Sequence, residues 1–219
     1  MNEKIKSLFV SDVHIGNNIR NPNVEKFFDV LSKYDYENLF LLGDIFDLRW
    51  PLNPKSIELF NFLSSKKNIH YIFGNHDIIL KDLNVFPNLY ETIDYDIKEN
   101  KCLLLHGHQH DLKVRNNLHT KILFEVSNLL FDFCHFIENK EKTVTKFIKN
   151  KTKNSFYYKD FITSLIEANP CYNTIIFGHL HYPFVKKIDD ILIINTGDFI
   201  HHNSYVVEDT SGNLELRYI

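Results

Sequence analysis

Short polar blocks that directly follow apolar runs constrain this 219-residue chain more than any other feature. Each block supplies Asp, Asn or His at the point where a predicted strand ends. Because the carboxyl ends of parallel strands lie at one edge of a sheet, we expect these side chains to converge there. The blocks are Ser11-Asp12-Val13-His14, Gly43-Asp44-Ile45-Phe46-Asp47, Gly74-Asn75-His76-Asp77, His106-Gly107-His108 and Gly178-His179-Leu180-His181.

The first half of the chain alternates predicted strands with predicted helices. Apolar runs predict strands at 5–10, 39–42 and 69–73, and helical spacing predicts helices at 24–34 and 54–66. This alternation is typical of parallel crossovers in an α/β sheet.

The second half is predicted to be richer in strands. Two strands lead into His106 and Gly178, and turn residues at 189–190 and 211–213 predict antiparallel hairpins among the strands that follow. Those later strands are predicted at 184–188, 191–194, 204–207 and 214–218. Two mixed sheets packed together, with helices outside, would accommodate both halves.

A stretch of about sixty residues between His110 and Asn173 contains no glycine and only one proline. Its pattern over 113–149 is helical, and within it residues 122–137 are apolar on more than one face. Residues 140–153 then carry six lysines and one glutamate. We predict one domain, 1–219, with a helical cap inserted at about 112–170.

Composition excludes several classes of protein. A net charge of -3 provides no overall field that would attract nucleic acid. Three widely spaced cysteines without a C-x-x-C pair predict a reducing compartment. Neither a signal-like segment nor an apolar run of about 18 residues is present. The expected location is the cytoplasm, with peripheral contact at the inner face of the membrane and the oligomeric state left open.

The residue types in the five blocks favour a pair of metal ions. Asp12 and His14 are two positions apart and would face the same way on a continuing strand, and His179 and His181 share this spacing. Asp44 offers a carboxylate that can bridge two ions. Nitrogen and oxygen ligands without thiolate favour Mn, Fe, Zn or Co. The candidate ligands are Asp12, His14, Asp44, Asn75, His106, His179 and His181.

Several of the blocks, taken alone, have an ordinary explanation, and Gly178-His179-Leu180-His181 alone would suit a chance pair of histidines. Asp12 and His14 would suit a surface turn, residues 74–77 would suit a turn with Asx hydrogen bonds, and Asp47 would suit a helix N-cap. Their joint occurrence, in order and each after an apolar run, favours the metal site. Two metal ions side by side activate water for in-line attack on a phosphate ester.

The blocks resemble the motifs D-x-H, G-D-x-x-D, G-N-H-[DE], H-G-[HD] and G-H-x-H of the calcineurin-like metallophosphoesterase superfamily. The resemblance covers nearly the whole chain and implies an α/β fold, a four-layer αββα sandwich of two mixed sheets. It also implies two divalent ions, with Mn favoured and Fe, Zn, Co or Ni as alternatives. One ion would take Asp12, His14, Asp44 and His181. The other would take Asp44, Asn75, His106 and His179.

The same resemblance gives His76 and Asp47 catalytic roles. His76 would act as general acid or charge stabiliser beside the phosphate, and Asp47 would orient it. A histidine held by a carboxylate is well suited to donate a proton to a developing oxyanion.

Within the superfamily the chain is similar to the UDP-2,3-diacylglucosamine hydrolase group, which releases UMP from a nucleotide-linked lipid in lipid A synthesis. On this resemblance Phe131 would line an acyl groove in the cap, and the lysines of 140–153 would meet diphosphate or a membrane surface. Arg20 and His108 would contact the substrate. His76 stands where the best-known members of that group have arginine, and His108 where they commonly have aspartate.

Two other functions stay open. The first is a general phosphodiesterase or phosphatase for a soluble nucleotide or other phosphoester, with the cap as an ordinary lid. The second is a non-catalytic scaffold on this fold, as in a retromer subunit. An intact His76 and seven intact ligand positions argue against the scaffold.

Overall fold

A computed structural model describes residues 2–16, 22–49, 51–111 and 156–219. The chain divides into two compact units, of which one comprises Met1–His108 with Cys171–Ile219 and the other Gln109–Pro170. The first unit contains the strands and three of the helices described below. The predicted cap at about 112–170 lies mostly outside the described residues, so a single domain with a cap insertion stays a prediction.

The described secondary structure begins with parallel strands that are separated by helices. In chain order its elements are β1 (Glu3–Val10), α1 (Pro22–Lys33), β2 (Tyr34–Leu42), α2 (Pro54–Ser64), β3 (Ile69–Ile72), α3 (Leu80–Leu83), β4 (Leu89–Tyr90), β5 (Thr92–Ile97), β6 (Asn100–Leu105), a 3-10 turn (His108–His110), α4 (Phe156–Ala168), β7 (Thr174–Phe177), β8 (Phe184–Ile188), β9 (Ile191–Asn195), β10 (Ser204–Glu208) and β11 (Leu214–Tyr218).

These strands form two mixed sheets. The first sheet has the order β11-β10-β1-β2-β3-β4, with β1 to β4 parallel and β10 and β11 antiparallel. The second has the order β5-β6-β7-β9-β8, with a parallel centre and antiparallel edge strands. The predicted fold class, α/β with two mixed sheets, is confirmed.

The central strands of the first sheet are buried on both faces. Leu8 and Val10 of β1 belong to an apolar cluster that includes residues of α1 and α2. Phe9, between them, belongs to a second cluster that includes residues of the second sheet. Alternate side chains of a strand point to opposite faces, so β1 must be apolar at every position that enters either cluster. This double burial explains the continuous apolar run that predicted the strand.

Two differences between the predicted and the observed secondary structure have a clear physical reason. Tyr34 was expected to end α1, but it begins β2, where it is buried and pairs with Glu3 of β1. Strand β5 was not predicted, because its sequence Thr-Ile-Asp-Tyr-Asp-Ile alternates apolar and polar residues at a sheet edge instead of forming an apolar run. Of the helices in the described ranges, none is long and apolar enough to cross a membrane.

Candidate metal centre

The loops that follow β1 and β2 run side by side beyond the sheet and position the first candidate ligands. The backbone N–H of Asp12 donates to the carbonyl of Gly43 (3.1 Å), and that of His14 donates to the carbonyl of Asp44 (3.0 Å). Ile15 N–H donates in turn to Ile45 (2.8 Å), so the ladder between the strands continues into the loops. The two loops therefore act as one support.

Asp12, His14 and His181 form the first group of converging ligand atoms. His181 Nε2 lies 3.1 Å from Asp12 Oδ1 and 3.2 Å from His14 Nε2. Asp12 is fully buried, and its Oδ2 accepts hydrogen bonds from the Ser11 hydroxyl and from the backbone N–H of His179 (2.9 Å). Its Oδ1 accepts no hydrogen bond and faces the two imidazoles. One carboxylate oxygen is thus fixed while the other is presented to the group.

A second group forms around His106. Its Nε2 lies 3.3 Å from Asp44 Oδ2 and 3.3 Å from Asn75 Oδ1. The ring of His179 lies beside that of His106, with centroids 5.3 Å apart. Asp12, Asp44 and His106 also lie close enough together to share a cation. The seven predicted ligands are therefore brought to one place.

Asp44 lies between the two groups. Its Oδ2 is 3.3 Å from His106 Nε2 and 3.9 Å from His14 Nε2. Its Oδ1 accepts a hydrogen bond from the backbone N–H of His76 (2.8 Å), which fixes the plane of the carboxylate. A buried carboxylate in this position can contribute to both groups at once.

The hydrogen-bonding capacity of these atoms fits a cation. His106 Nδ1 donates to the carbonyl of Leu42 (2.8 Å), so neutral His106 carries a lone pair on Nε2, where it meets the oxygens of Asp44 and Asn75. In this neutral form the lone pairs repel unless a positive charge, from a proton or from a metal ion, lies between them. Two ligands at about 2.1 Å from one metal ion and at right angles are about 3 Å apart. The separations of 3.1 to 3.3 Å in both groups match that value.

The pKa values of these groups also indicate a site that binds positive charge. Burial lowers the pKa of His106, but the charge of Asp44 and its hydrogen bond outweigh burial and raise the pKa to about 10. Burial opposes ionisation of Asp12 and Asp44, yet the neighbouring imidazoles hold both pKa values well below the usual range. The site is therefore a buried cluster of ionised carboxylates whose charge is balanced by protons on neighbouring imidazoles, and a metal cation can take the place of those protons.

His76 adjoins the first group and faces Asp47. Its Nδ1 lies 3.4 Å from Asp47 Oδ2, and its ring meets that of His14 edge to face at 4.6 Å. Asp47 is in turn hydrogen-bonded to Arg49, whose Nε and Nη2 donate to the two carboxylate oxygens at 2.8 and 2.7 Å. Burial opposes ionisation of Asp47, but Arg49 and then His76 hold its pKa below the usual range. His14, Asp47 and His76 also lie close enough together to hold a metal ion.

The reason given for two of the pairs was wrong. Asp12 and His14 do not lie on a continuing strand: β1 ends at Val10, and both residues have left-handed backbone, each with a φ of 52°. His179 and His181 also have positive φ, and they diverge: His181 lies with Asp12, whereas His179 lies beside His106. The pairs reach the site through loop geometry and not through strand alternation.

Sequence reasoning missed three supporting side chains. Arg49 grips Asp47. Asp77 is buried and accepts hydrogen bonds from the backbone N–H groups of Ile45 (3.0 Å) and Gly74 (2.6 Å), so it ties two ligand loops together. Asp198 is also buried, with Oδ2 3.4 Å from His181 Nδ1. A signal for Asp198 existed, because Gly197-Asp198 follows β9 much as Gly43-Asp44 follows β2.

The predicted substrate contacts are placed only in part. His108 follows β6 in the short 3-10 turn, and its ring centroid lies 5.5 Å from that of His106. Arg20 and Phe131 lie outside the described residues, as do the lysines of 140–153.

Comparison with known proteins gives one family and a set of similar folds. A family model described as the calcineurin-like phosphoesterase superfamily domain matches residues 5–212. Among curated proteins there is no significant match. A solved archaeal phosphodiesterase is 19% identical with a TM-score of 0.51, and 98% of this chain aligns with 100% of that chain. YfcE, a phosphoesterase from E. coli, is 16% identical with a TM-score of 0.55 over 98% of this chain and 100% of that one.

Proposed function

Since the chain belongs to the calcineurin-like phosphoesterase superfamily, we propose that its two groups of buried Asp and His side chains form a two-metal active site. The chain is a metal-dependent phosphoester hydrolase. The observation that supports this site best is the convergence of His106 Nε2, Asp44 Oδ2 and Asn75 Oδ1, with His106 Nδ1 committed to the Leu42 carbonyl. In neutral His106 each of these three atoms presents a lone pair that a divalent cation can accept. An arrangement of this kind is stable with a cation at its centre.

We assign the ligands as two sets that share Asp44. Asp12, His14 and His181 complete the first set. Asn75, His106 and His179 complete the second. When bound, two divalent ions supply an activated water and neutralise negative charge on the phosphate. We propose Mn as the native metal, with Fe, Zn, Co and Ni as alternatives that the same ligands accept.

The residues around the metal ligands supply proton transfer and orientation. His76 turns Nδ1 toward Asp47, so that in the protonated form of the ring Nε2 can donate its proton to a phosphate oxygen or to the leaving group, which leaves neutral His76 with its hydrogen on Nδ1. Asp47, held through both oxygens by Arg49, fixes the plane of the His76 ring. The backbone N–H of His76 fixes Asp44, so catalytic acid and shared ligand are positioned by the same loop.

For the substrate we propose a nucleotide-linked lipid of the UDP-2,3-diacylglucosamine type, from which hydrolysis would release UMP. The order of the motifs and the long insertion in the sequence support this choice. The insertion carries the predicted acyl contact Phe131 and the predicted membrane contact at 140–153. On this proposal the enzyme acts in the cytoplasm, with peripheral contact at the inner face of the membrane.

A general phosphodiesterase is the second candidate. The observation that favours it is His76, because a histidine held by a carboxylate equips the site to protonate many different leaving groups. The archaeal protein of similar fold is itself described as a phosphodiesterase. In this case the substrate would be a soluble nucleotide or other phosphoester, and the insertion would serve as a lid.

The test compares two substrates under the same metal supply. Purified protein, treated with chelator and reloaded with Mn, would be assayed for UMP release from UDP-2,3-diacylglucosamine and for hydrolysis of bis-p-nitrophenyl phosphate. Fast turnover of the lipid with slow turnover of the diester supports the first candidate, and the reverse supports the second. Failure with both substrates, with two ions bound, would favour the scaffold.

Two variants test the site itself. Asp44→Asn should remove turnover and lower metal content, because both sets of ligands lose their shared carboxylate. His76→Ala should lower kcat by about 100-fold or more at unchanged metal content, the usual scale of general acid catalysis. If His76→Ala loses metal in proportion to activity, His76 is a ligand and the assignment of the acid is wrong.

A further inference from the structure

We propose that Asp198 is the positioning residue that fixes the ring of His181 for metal binding, an inference that rests on the two-metal site proposed above. Asp198 follows β9 in the second sheet, and its side chain is fully buried. Its Oδ2 lies 3.4 Å from His181 Nδ1, on the side of the ring opposite to Asp12. A carboxylate behind a metal-binding histidine is a common means of setting which ring nitrogen carries the proton.

The orientation of Asp198 is set by the backbone. Its Oδ1 accepts hydrogen bonds from the N–H groups of His201 (2.7 Å) and His202 (2.9 Å). These two bonds leave Oδ2 turned toward His181. Because a carboxylate can only accept hydrogen bonds, it draws the proton of neutral His181 to Nδ1. Nε2 then presents its lone pair toward Asp12 Oδ1 and His14 Nε2, at 3.1 and 3.2 Å.

The turn that carries Asp198 is itself held against the loops of other ligands. Ser11 donates to Asp12, lies 2.6 Å from the Thr196 hydroxyl, and contacts the carbonyl of Gly197. Asn195 donates through its side-chain amide to the carbonyl of Gly178 and accepts from Gly197 N–H (2.9 Å). Residues 195–198 therefore connect the loop of Asp12 with the loop of His179 and His181. Asp198 is rigidly placed, as a positioning residue has to be.

Asparagine at position 198 separates this role from simple support of the fold. To keep accepting from His201 and His202, the amide oxygen must stay where Oδ1 lies, so the NH2 group faces His181 Nδ1. Neutral His181 would then accept at Nδ1 and carry its proton on Nε2, which blocks the metal lone pair. Asp198→Asn should therefore weaken binding of one of two Mn ions by about 10-fold to 100-fold. Turnover should fall with it.

Glu208→Gln is the matched control. Glu208 is another fully buried carboxylate of the same unit, but it contacts Lys6 and Tyr95 instead of a predicted ligand. Titration calorimetry with Mn would give both affinities for wild type and for each variant, and urea unfolding in chelator would give stability. We expect Glu208→Gln to keep both Mn affinities. Equal loss of affinity in the two variants would overturn the proposal.

A double-mutant cycle provides a readout that a merely structural role would not move. If Asp198 acts through His181, Asp198→Asn should cause no further loss of Mn affinity in a His181→Ala background. Additive losses would mean that Asp198 acts elsewhere, and wild-type Mn affinity in Asp198→Asn alone would also overturn the inference. Failure of the wild-type protein to bind two Mn ions would instead contradict the proposed function, so the two failures are distinguishable.

Discussion

At the scale of single residues, most of the predicted metal ligands share an unfavourable backbone conformation. Left-handed φ costs a residue with a Cβ about 1–2 kcal/mol, and such outliers are concentrated at functional sites. The ligands with positive φ are Asp12, His14, Asp44, His179 and His181, with values from 52° to 65°. The strain is offset by hydrogen bonds between adjacent loops, such as those from Asp12 N–H to Gly43 and from His14 N–H to Asp44.

This strain predicts an unusual order of stability at position 181. In chelator, His181→Gly should be more stable than His181→Ala by about 1 kcal/mol, because glycine adopts the left-handed region without a Cβ penalty. Urea unfolding of both variants measures the difference. His76, which is not among the positive-φ residues, gives the control: there His76→Ala should be at least as stable as His76→Gly. If the glycine variant were more stable than the alanine variant at both positions, backbone strain would not explain the difference at position 181.

Arg49 provides the second prediction at this scale. Its two hydrogen bonds fix the plane of Asp47, and only Arg offers that fork, so Arg49→Lys keeps the charge but loses the geometry. We expect Arg49→Lys to lower kcat by about 10-fold, part of the factor usually supplied by general acid catalysis, with Mn content unchanged. Steady-state kinetics measures kcat, and metal analysis measures the Mn content of the variant.

The comparison that isolates this effect uses Asp47→Asn. Once Asp47 is replaced, Arg49→Lys should have little further effect on kcat, since Arg49 acts through that carboxylate. An independent loss in the double variant would mean that Arg49 contacts substrate directly.

At the scale of elements, the ligand loops are packed so closely that they require glycine. A Cβ at Gly178 would lie 2.5 Å from Asp12 Oδ2 and still closer to the Ser11 hydroxyl. Gly178→Ala should therefore displace Asp12, with loss of Mn affinity and about 1–3 kcal/mol of stability, the usual cost of overpacking. Calorimetric titration with Mn and urea unfolding measure the two effects.

Gly16→Ala is the matched control for that change. A Cβ at Gly16 would find its nearest neighbour, Asp47 Cβ, at an ordinary 3.7 Å. We expect Mn affinity within a factor of two or three of wild type, since substitutions without a clash have small effects. Comparable losses of Mn affinity in Gly178→Ala and Gly16→Ala would mean that crowding against Asp12 does not cause the loss.

The burial of each strand also determines whether the sequence could predict it. The ligand loops were found because β1 and β2 are buried on both faces, and that burial produces apolar runs that end where the polar blocks begin. Strand β5 was missed because an edge strand needs no such run. The left-handed conformation of His14 could not be predicted, because Asp and His adopt it only occasionally and tertiary contacts impose it here. Arg49 was missed because its partner is known only once the loops are placed, and the Gly197-Asp198 signal after β9 does not by itself identify His181 as the partner of Asp198.

At the scale of the whole molecule, the candidate centre joins the two sheets. Asp12, Asp44 and Asn75 follow strands of the first sheet, whereas His106 and His181 follow strands of the second. In the metal-free state the contact between these loops brings buried carboxylates and imidazoles together. A bound cation would take the place of the protons that balance these carboxylates and would link the sheets, so metal binding should affect global stability as well as activity.

The last prediction follows from this linkage. Unfolding separates the ligands, so ions that bind only the folded chain stabilise it by about 2.7 kcal/mol at a concentration one hundred times the dissociation constant. The urea midpoint should therefore rise with Mn concentration while the dependence of free energy on urea stays constant, as expected when the same surface is exposed. Asp44→Asn, which removes the shared ligand, should lose most of this response. If the urea midpoint of the wild-type chain did not change with Mn, or rose equally in Asp44→Asn, the ions would bind somewhere other than between the two sheets.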